Sequence, residues 1–299
     1  MIPRKRLIAT SAAGIILATS SLALAQAGPT NSVKSGYAPV NGLKMYYEIH
    51  GSGEPLILVH GGVGATEMFN DILPSLSGSH QVIAVDLQAH GRTADIDRPL
   101  SYQAMGDDIA ALMNYLGIEK ADVMGYSVGG GVVLRTAIQH PGLVRKLVVV
   151  SAVFKRHGWY PEILAAMDQS GPATAEQMKQ SPMYELYARI APRPQDWPVL
   201  FTKLGDLLRK DYDWSNEVAK IRVPTLLVFG DADAVRTAHA VEFFELLGGG
   251  KKDAGWDGSG MSNARLAILP GVTHYNICSS PALPTVVTSF LDTPLPKIK

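Results

Sequence analysis

The chain has 299 residues, 46% of them hydrophobic, with 27 basic against 27 acidic side chains and one cysteine, Cys278. This length and apolar content fit one large core, and the balanced charge argues against nucleic acid as a partner. A single cysteine excludes an intramolecular disulfide, and no C-x-x-C or H-E-x-x-H spacing occurs, so no metal site is predicted.

The first 27 residues have the pattern of a secretory signal peptide. Three basic residues at positions 4–6 precede an apolar run at residues 7–24, and Ala25-Gln26-Ala27 matches an A-x-A cleavage site. Threonines and serines interrupt the run, which favours cleavage over an uncleaved membrane anchor. We therefore predict that residues 1–27 are removed and that the protein is exported, to the periplasm or outside the cell, with no membrane span left.

After the signal, short apolar runs alternate with helical patterns. Asn41-Gly42 predicts a hairpin turn within residues 37–48. Six nearly continuous apolar runs follow, at residues 55–59, 81–85, 121–124, 145–150, 223–229 and 264–269. Such runs are typical of strands buried on both faces, and residues between them, such as 102–116, have helical spacing. The pattern predicts an α/β fold with a mostly parallel sheet covered by helices on both faces.

Between residues 152 and 221 the alternation stops, and helical patches predict a helical cap inserted into a core domain of residues 28–151 and 222–299. Because the insertion follows the carboxyl end of a strand, it is expected to cover the face where parallel α/β sheets bind ligands. Most cap aromatics should pack on one another, and two or three should contact substrate. The predicted substrate contacts are Tyr126 of the core and Phe154, Trp159, Tyr184 and Tyr187.

A glycine-rich stretch at residues 248–260 connects a helix back to a strand. Connections of this direction lie opposite the ligand-binding face. We predict a surface feature or partner contact there, with Trp256 packed on a neighbouring group.

Gly125-Tyr126-Ser127-Val128-Gly129 is the motif that carries most of the chemistry. It follows the apolar run at 121–124 and opens a helical stretch at 128–140. A serine at such a tight turn projects its hydroxyl from the sheet, and only small neighbours leave room for the chain to reverse. Ser127 is therefore the predicted nucleophile.

A serine hydroxyl is a weak nucleophile, so Ser127 needs a base, and the base needs an orienting carboxylate. Asp231 and Asp233 follow one buried run, and His274 follows the next. The order Ser, Asp, His, each after a strand, favours His274 as the base. Spacing alone does not separate the two acids, but Asp231 also suits a turn-capping role, so Asp233 is taken as the acid.

Two backbone amides are also required for the oxyanion that forms when a serine attacks a carbonyl. The amide of Val128, next to the nucleophile, is one candidate. The second should come from His60-Gly61-Gly62-Val63-Gly64, because glycines after a buried strand let the backbone approach substrate closely. We choose Gly62, with Val63 as the alternative.

With these motifs the chain resembles the α/β-hydrolase superfamily, and within it the cap-bearing group of esterases, lactonases, C–C bond hydrolases and proline iminopeptidases. The likeness covers about residues 36–291. Residues 86–93, D-L-Q-A-H-G-R-T, are similar to the family's D-x-x-G-x-G-x-S loop, with Ala89 where Gly is usual. That loop is structural in the family, so His90 is given no catalytic role.

The resemblance also bears on the chemistry. The family's G-x-x-D pattern corresponds to residues 230–233 and supports Asp233 as the acid. A serine at the elbow disfavours the epoxide hydrolases and haloalkane dehalogenases, which use Asp there. Proline iminopeptidases carry Pro and Trp where this chain has Val63 and Val128, which weakens that comparison.

The resulting expectation is a serine hydrolase that cleaves a small-molecule carboxylic ester through an acyl-enzyme, with no cofactor and no metal. Alternatives on the same triad are a lactonase, a C–C bond hydrolase, a proline iminopeptidase-like peptidase and an acyl transferase. The alternative that is not an enzyme is a protein of this fold that binds a small molecule without turning it over. The sequence leaves the ester or lactone and the oligomeric state undefined.

Overall fold

A computed structural model describes residues 33–294 of the chain. The predicted signal peptide at residues 1–27 lies outside the described residues. The strands are β1 (Lys34–Val40), β2 (Leu43–His50), β3 (Glu54–Val59), β4 (His80–Val85), β5 (Ala121–Tyr126), β6 (Val144–Val150), β7 (Thr225–Ala232) and β8 (Ala264–Thr273). The α-helices are α1 (Leu73–Ser77), α2 (Tyr102–Tyr115), α3 (Val128–Gln139), α4 (Pro161–Asp168), α5 (Pro172–Gln177), α6 (Pro182–Ile190), α7 (Trp197–Arg209), α8 (Ser215–Val218), α9 (Thr237–Leu246) and α10 (Ala282–Asp292).

The strands form one sheet in the order β1-β2-β4-β3-β5-β6-β7-β8. Strands β3 to β8 are parallel, whereas β1 and β2 run antiparallel at one edge. The β1–β2 hairpin turns at Asn41 and Gly42, which both have positive φ, 48° and 85°. Asn-Gly tolerates this geometry, the one that matches strand twist. The arrangement confirms the predicted α/β-hydrolase fold.

Both faces of the sheet are buried. In β3, Ile57 and Val59 belong to a cluster with α2, α3 and α9, whereas Leu56 and Leu58 belong to a cluster with α1 and α10. Successive strand residues point to opposite faces, so an unbroken apolar run supplies both clusters at once. This is why the central strands have no alternation of polar and apolar residues.

Helices α4 to α8 occupy the connection between β6 and β7, as expected for the predicted cap, although its boundaries at residues 152 and 221 stay a prediction. Helix α7 is fastened to the core through Lys203. Its Nζ donates to the carbonyl oxygens of Ile96 at 2.7 Å and Arg98 at 2.9 Å and pairs with Asp95 at 2.7 Å. These contacts hold α7 against the core at the carboxyl edge of the sheet.

The loop at residues 248–260 differs from its prediction in one respect. Trp256 is fully exposed instead of packed on a neighbour. Glycines at 248, 250, 255 and 258 with positive φ carry the chain through a wide turn, so the loop brings no apolar surface against the indole. Among residues 33–294, no helix combines the length and apolar character needed to cross a membrane.

Candidate active site

Ser127 occupies a sharp turn between β5 and α3. Its φ is 54°, in the left-handed region that residues with a Cβ rarely adopt. The turn brings backbone segments very close: a Cβ on Gly129 would lie 2.3 Å from the carbonyl oxygen of Val59, and one on Gly125 would lie 2.1 Å from that of Gly129. Only glycine fits at these two positions, so the G-x-S-x-G spacing follows from the geometry.

Replacing Gly129 by alanine is therefore expected to destabilise the protein by more than about 4 kcal/mol, because the contacting atoms are backbone and cannot rotate away. The matched control is Gly142→Ala, where an added Cβ meets nothing within 4 Å. Urea unfolding of the two variants measures the difference. A loss under about 1 kcal/mol for Gly129→Ala would contradict the close packing of the turn.

His274 and Asp233 lie beside Ser127, each just beyond the carboxyl end of a neighbouring strand. The Nε2 atom of His274 is 3.1 Å from Ser127 Oγ, and its Nδ1 atom is 2.9 Å from Asp233 Oδ1. Both residues are buried, at 8% exposure. The structure thus brings the three predicted residues into one hydrogen-bonded chain.

The two aspartates at the carboxyl end of β7 have separate surroundings. Asp233 accepts hydrogen bonds from the amides of Gly230 and Val235, both at 3.1 Å. Asp231 is exposed and accepts from the amides of Gly271 at 2.9 Å and Val272 at 3.2 Å. Asp231 therefore connects the carboxyl ends of β7 and β8, across 40 residues of sequence, instead of capping its own turn.

Burial alone would raise the pKa of Asp233. Hydrogen bonds from His274, Ser151 and the Gly230 amide outweigh burial and, with the charge of His274, hold the pKa of this carboxyl below its usual value. Asp233 is consequently an anion at neutral pH and can accept a hydrogen bond from the Nδ1–H group of His274. The Nε2 atom then faces Ser127 as an acceptor.

Ser151 is the contact that the sequence analysis missed. It follows β6, is fully buried and has φ 49°, and its hydroxyl donates to Asp233 Oδ2 at 2.5 Å. Its amide is held by the carbonyl of Val228 at 2.8 Å. No local motif marks this serine; only its place after the strand beside β5 hints at a role, because neighbouring parallel strands end at the same edge.

Removing this hydroxyl gives a testable pH effect. Ser151→Ala deletes a donor that favours the charged carboxylate, so the pKa of Asp233 rises and the anion is lost at higher pH as acid is added. The carboxyl carbon of Asp233, followed by NMR, should titrate about half a pH unit or more higher in Ser151→Ala than in the wild-type chain, while kcat at neutral pH falls less than about tenfold. Ser289→Ala, on the exposed side of α10, is the control. An unshifted titration of Asp233 in Ser151→Ala would assign Ser151 to packing alone.

Aromatic rings enclose His274. The hydroxyl of Tyr126 donates to the carbonyl oxygen of His274 at 2.6 Å, and the two rings are 5.2 Å apart. The rings of Trp159 and Tyr275 lie 5.4 Å and 5.5 Å from the imidazole. Tyr126 and Trp159 were predicted at the site, whereas Tyr275, which is 79% exposed, was missed. These rings pack around the imidazole, whose orientation is set by its hydrogen bonds to Asp233 and Ser127.

The other predicted aromatics lie farther into the helical segment or core. Tyr184 and Tyr187 pack on Trp197 at ring distances of 5.3 Å and 5.0 Å, which makes them part of the cap's own apolar cluster. Phe154 has no exposed surface and stacks on His239 at 4.2 Å. Its contacts do not support substrate binding, because packing against α9 occupies the ring.

Residues 61–64 form a tight turn directly against the nucleophile. The amide of Gly64 donates to the carbonyl of Gly61 at 3.2 Å, and Val63 has φ 61°, an unusual value for a β-branched residue. A Cβ on Gly61 would lie 3.3 Å from Ser127 Cβ, and one on Gly62 would lie 3.3 Å from a methyl group of Val128. Backbone strain of this kind is often found at functional sites, and here it lies in the loop that was predicted to donate to the oxyanion.

The amides of this turn are available. Among residues 33–294, those of Gly62 and Val63 donate no hydrogen bond to another protein group. Val128 is the first residue of α3, so its amide lacks an acceptor within the helix. The positive end of the helix dipole adds to the attraction for negative charge there. Gly62 and Val63 both remain consistent with the second donor.

Two buried histidines lie next to this turn: His60 contacts it directly, and the ring of His90 lies 5.1 Å from that of His60. Nε2 of His60 accepts from the Leu87 amide at 3.1 Å, so Nδ1 carries the proton and donates to the Gly61 carbonyl at 2.7 Å. Burial, with His90 nearby, lowers the pKa of His60 to about 3, and burial lowers that of His90 to about 4. Both are neutral scaffold residues, consistent with the structural role expected for His90.

One cap residue also reaches this turn. A Cβ on Gly62 would lie 3.2 Å from a methyl carbon of Leu204, a buried residue of α7. Leu204 and Val128 thus form an apolar wall beside the turn. Leu204 was not among the predicted site residues, because nothing in the sequence separates it from the other apolar residues of an amphipathic helix.

No group of three or more His, Cys, Asp or Glu side chains with metal-binding geometry occurs among residues 33–294. The arrangement offers a hydroxyl, an imidazole and an anionic carboxylate in one hydrogen-bonded chain, with free backbone amides in the adjoining turn and helix start. Such a set can transfer a proton from a serine and stabilise an oxyanion.

Comparison with known proteins gives consistent results. A family model described as alpha/beta hydrolase fold matches residues 54–287. RutD of Azorhizobium caulinodans, whose name describes a carbamate hydrolase, is 28% identical over 214 residues, covering 67% of this chain and 81% of the relative. Pimeloyl-[acyl-carrier protein] methyl ester esterase of Neisseria meningitidis serogroup B is 31% identical over 205 residues, covering 62% of this chain and 77% of the esterase.

Among solved structures, the meta-cleavage product hydrolase of Pseudomonas fluorescens IP01 matches with a TM-score of 0.67. The match has 22% identity and covers 87% of this chain and 97% of that one. At this identity the likeness supports the fold and carries no information about substrate.

Proposed function

Because the chain belongs to the alpha/beta hydrolase fold family and is a hydrolase, we propose that it is a serine hydrolase acting on small carboxylic esters. The observation that supports this most directly is the hydrogen-bonded chain from Ser127 Oγ to His274 at 3.1 Å and on to Asp233 at 2.9 Å. A protein of this fold that only binds its ligand would not require all three groups in this order.

In the proposed reaction, Ser127 Oγ attacks the ester carbonyl carbon while His274 Nε2 takes the hydroxyl proton. Asp233 holds the imidazole in the productive tautomer and stabilises its positive charge. The tetrahedral intermediate collapses to an acyl-enzyme, and the alcohol leaves with the proton from His274. Water then releases the acid by the same route, so no cofactor or metal takes part.

The oxyanion is assigned to the amides of Val128 and Gly62, with that of Val63 as the alternative. A single such donor contributes on the order of 3 kcal/mol to the transition state. The assignment is supported by the lack of a protein acceptor for these amides, in the turn at residues 61–64 and at the start of α3, within residues 33–294. Because the donors are backbone groups, their position depends on the strained turn at residues 61–64.

The wall formed by Leu204 and Val128 favours an apolar group on the substrate. The methyl ester esterase among the relatives acts, by its name, on an ester. Lactones contain the same bond in a ring and are accepted or refused by pocket shape alone, so they belong to the same proposal.

A panel of p-nitrophenyl esters of increasing acyl length, together with five- and six-membered lactones, tests the proposal. We expect turnover of at least one ester class, with a preference that changes when Leu204→Ala enlarges the wall. Leu208→Ala, farther along α7 and only partly buried, is the control. No turnover across the panel would direct attention to amide, carbamate or C–C bonds or to ligand binding without turnover.

Export stays a prediction from the signal-like residues 1–27. It is checked by fractionating cells that express the full chain and measuring the mass of the N-terminus. A cytosolic chain that retains residues 1–27 would contradict it.

A further inference from the structure

A large cavity lies at the edge of the sheet opposite Ser127, where β5, β6, β7 and β8 begin. Its volume is about 930 Å³, within the usual range for small-molecule sites. The six residues of β5 separate it from Ser127, a distance of roughly 20 Å at about 3.3 Å per residue. It is thus distinct from the hydrolytic site.

The cavity wall is apolar over most of its area. It is formed by the end of α3, the start of β6 and the segment before β7, and its apolar residues include Ala137, Ile138, Pro141, Val144, Val223 and Pro224. The two prolines and the strand starts are backbone-fixed, so this wall is preformed. An aliphatic chain or aromatic ring could displace water from it at little conformational cost.

Positive charge surrounds this apolar wall. Lys120, Lys220 and Arg222 line the cavity, and none of the three forms an ion pair within residues 33–294. The two remaining charged lining residues are compensated, because Arg145 pairs with Asp122 and Glu217 pairs with Arg135.

Three uncompensated cations thus line one cavity of a protein that is acidic on average. The described residues carry 22 Lys and Arg against 27 Asp and Glu, so the surface is acidic on average. An unpaired cationic rim around an apolar wall is complementary to one class of small molecule, an organic anion with an apolar body.

We propose that this cavity binds an amphiphilic monocarboxylate, with its carboxylate at Lys220 and Arg222 and its apolar body along the wall of Ile138 and Val223. Arg222 is already oriented, since its guanidinium donates to the Ala219 carbonyl at 3.1 Å. A cationic amphiphile is repelled by the same rim, and acetate lacks the apolar body, so both have no stable position there. The proposal does not depend on the esterase assignment.

Calorimetric titration of dodecanoate into the Ser127→Ala chain tests it, with acetate and dodecyltrimethylammonium as comparison ligands. We expect one site for dodecanoate, with a Kd on the order of 10–100 μM, and none for the other two. Lys220→Glu combined with Arg222→Glu should weaken binding by about tenfold or more, because two attractive contacts become repulsive. Lys34→Glu with Lys44→Glu, exposed at the other edge of the sheet, changes net charge equally and should leave the Kd unchanged.

Three results would overturn the proposal. One is no binding of dodecanoate up to about 1 mM, which is weaker than a filled cavity of this size predicts. Another is equal weakening by the two double variants, which would indicate a general charge effect. The third is a dimer in sedimentation analysis that dissociates in Lys220→Glu with Arg222→Glu and binds no dodecanoate, which would make this cavity a contact between copies of the chain.

Discussion

Ser127→Ala is expected to lower kcat for ester hydrolysis by at least about 10⁴-fold while leaving folding intact. The hydroxyl is the only atom removed, and its recorded contact is with His274 Nε2 at 3.1 Å. Alanine at φ 54° is no more strained than serine, so the unfolding free energy should change by less than about 1 kcal/mol.

Initial rates with the best p-nitrophenyl ester and urea unfolding of the same preparation measure the two quantities. His274→Ala should cost a similar factor, and the double variant should lose little more than either single variant, because the two residues act as one unit. If the loss of kcat in the double variant equalled the product of the two single losses, the two residues would act independently, which would contradict a shared proton transfer.

Asp233→Asn is expected to lower kcat by about 10⁴-fold, because an asparagine amide can face Nδ1 as a donor and force the unproductive tautomer of His274. The structure provides a matched control two residues away. Asp231 is exposed, and its carboxylate accepts hydrogen bonds from the amides of Gly271 and Val272 in β8 and none from His274, so Asp231→Asn should retain nearly full kcat.

Comparing the two variants shows which carboxylate is the acid of the triad, a choice that sequence spacing alone did not make. Equal losses in both variants, or a larger loss for Asp231→Asn, would reassign the acid. Thermal unfolding should show a modest effect of Asp231→Asn, of about 1 kcal/mol, since the amide of asparagine still offers an oxygen to the two backbone donors.

Much of the fold could be predicted because it depends on local patterns. Continuous apolar runs identified the buried strands. The G-x-S-x-G motif identified the tight turn, because only glycine fits at positions 125 and 129. The order of Ser127, Asp233 and His274 along the chain was informative because parallel strands end at one edge.

What sequence did not reveal depends on contacts between distant elements. Ser151 reaches Asp233 across 82 residues, and Leu204 reaches the turn at Gly62 from a different layer. Neither has a local signature: an isolated serine after a strand and a leucine in an amphipathic helix are common in any protein. Trp256 is an error in the opposite direction. An aromatic residue among glycines predicted a packing contact, but in the structure its side chain is fully exposed.

The most direct test of the proposed mechanism is to trap the acyl-enzyme. The wild-type chain is mixed with p-nitrophenyl butyrate, quenched with acid within its first turnovers, digested and mapped by mass spectrometry. We expect a butyryl group on the peptide that contains Ser127, and no such adduct in Ser127→Ala. Turnover by wild-type protein with the acyl group on another residue, or undiminished turnover by Ser127→Ala, would contradict nucleophilic catalysis by Ser127.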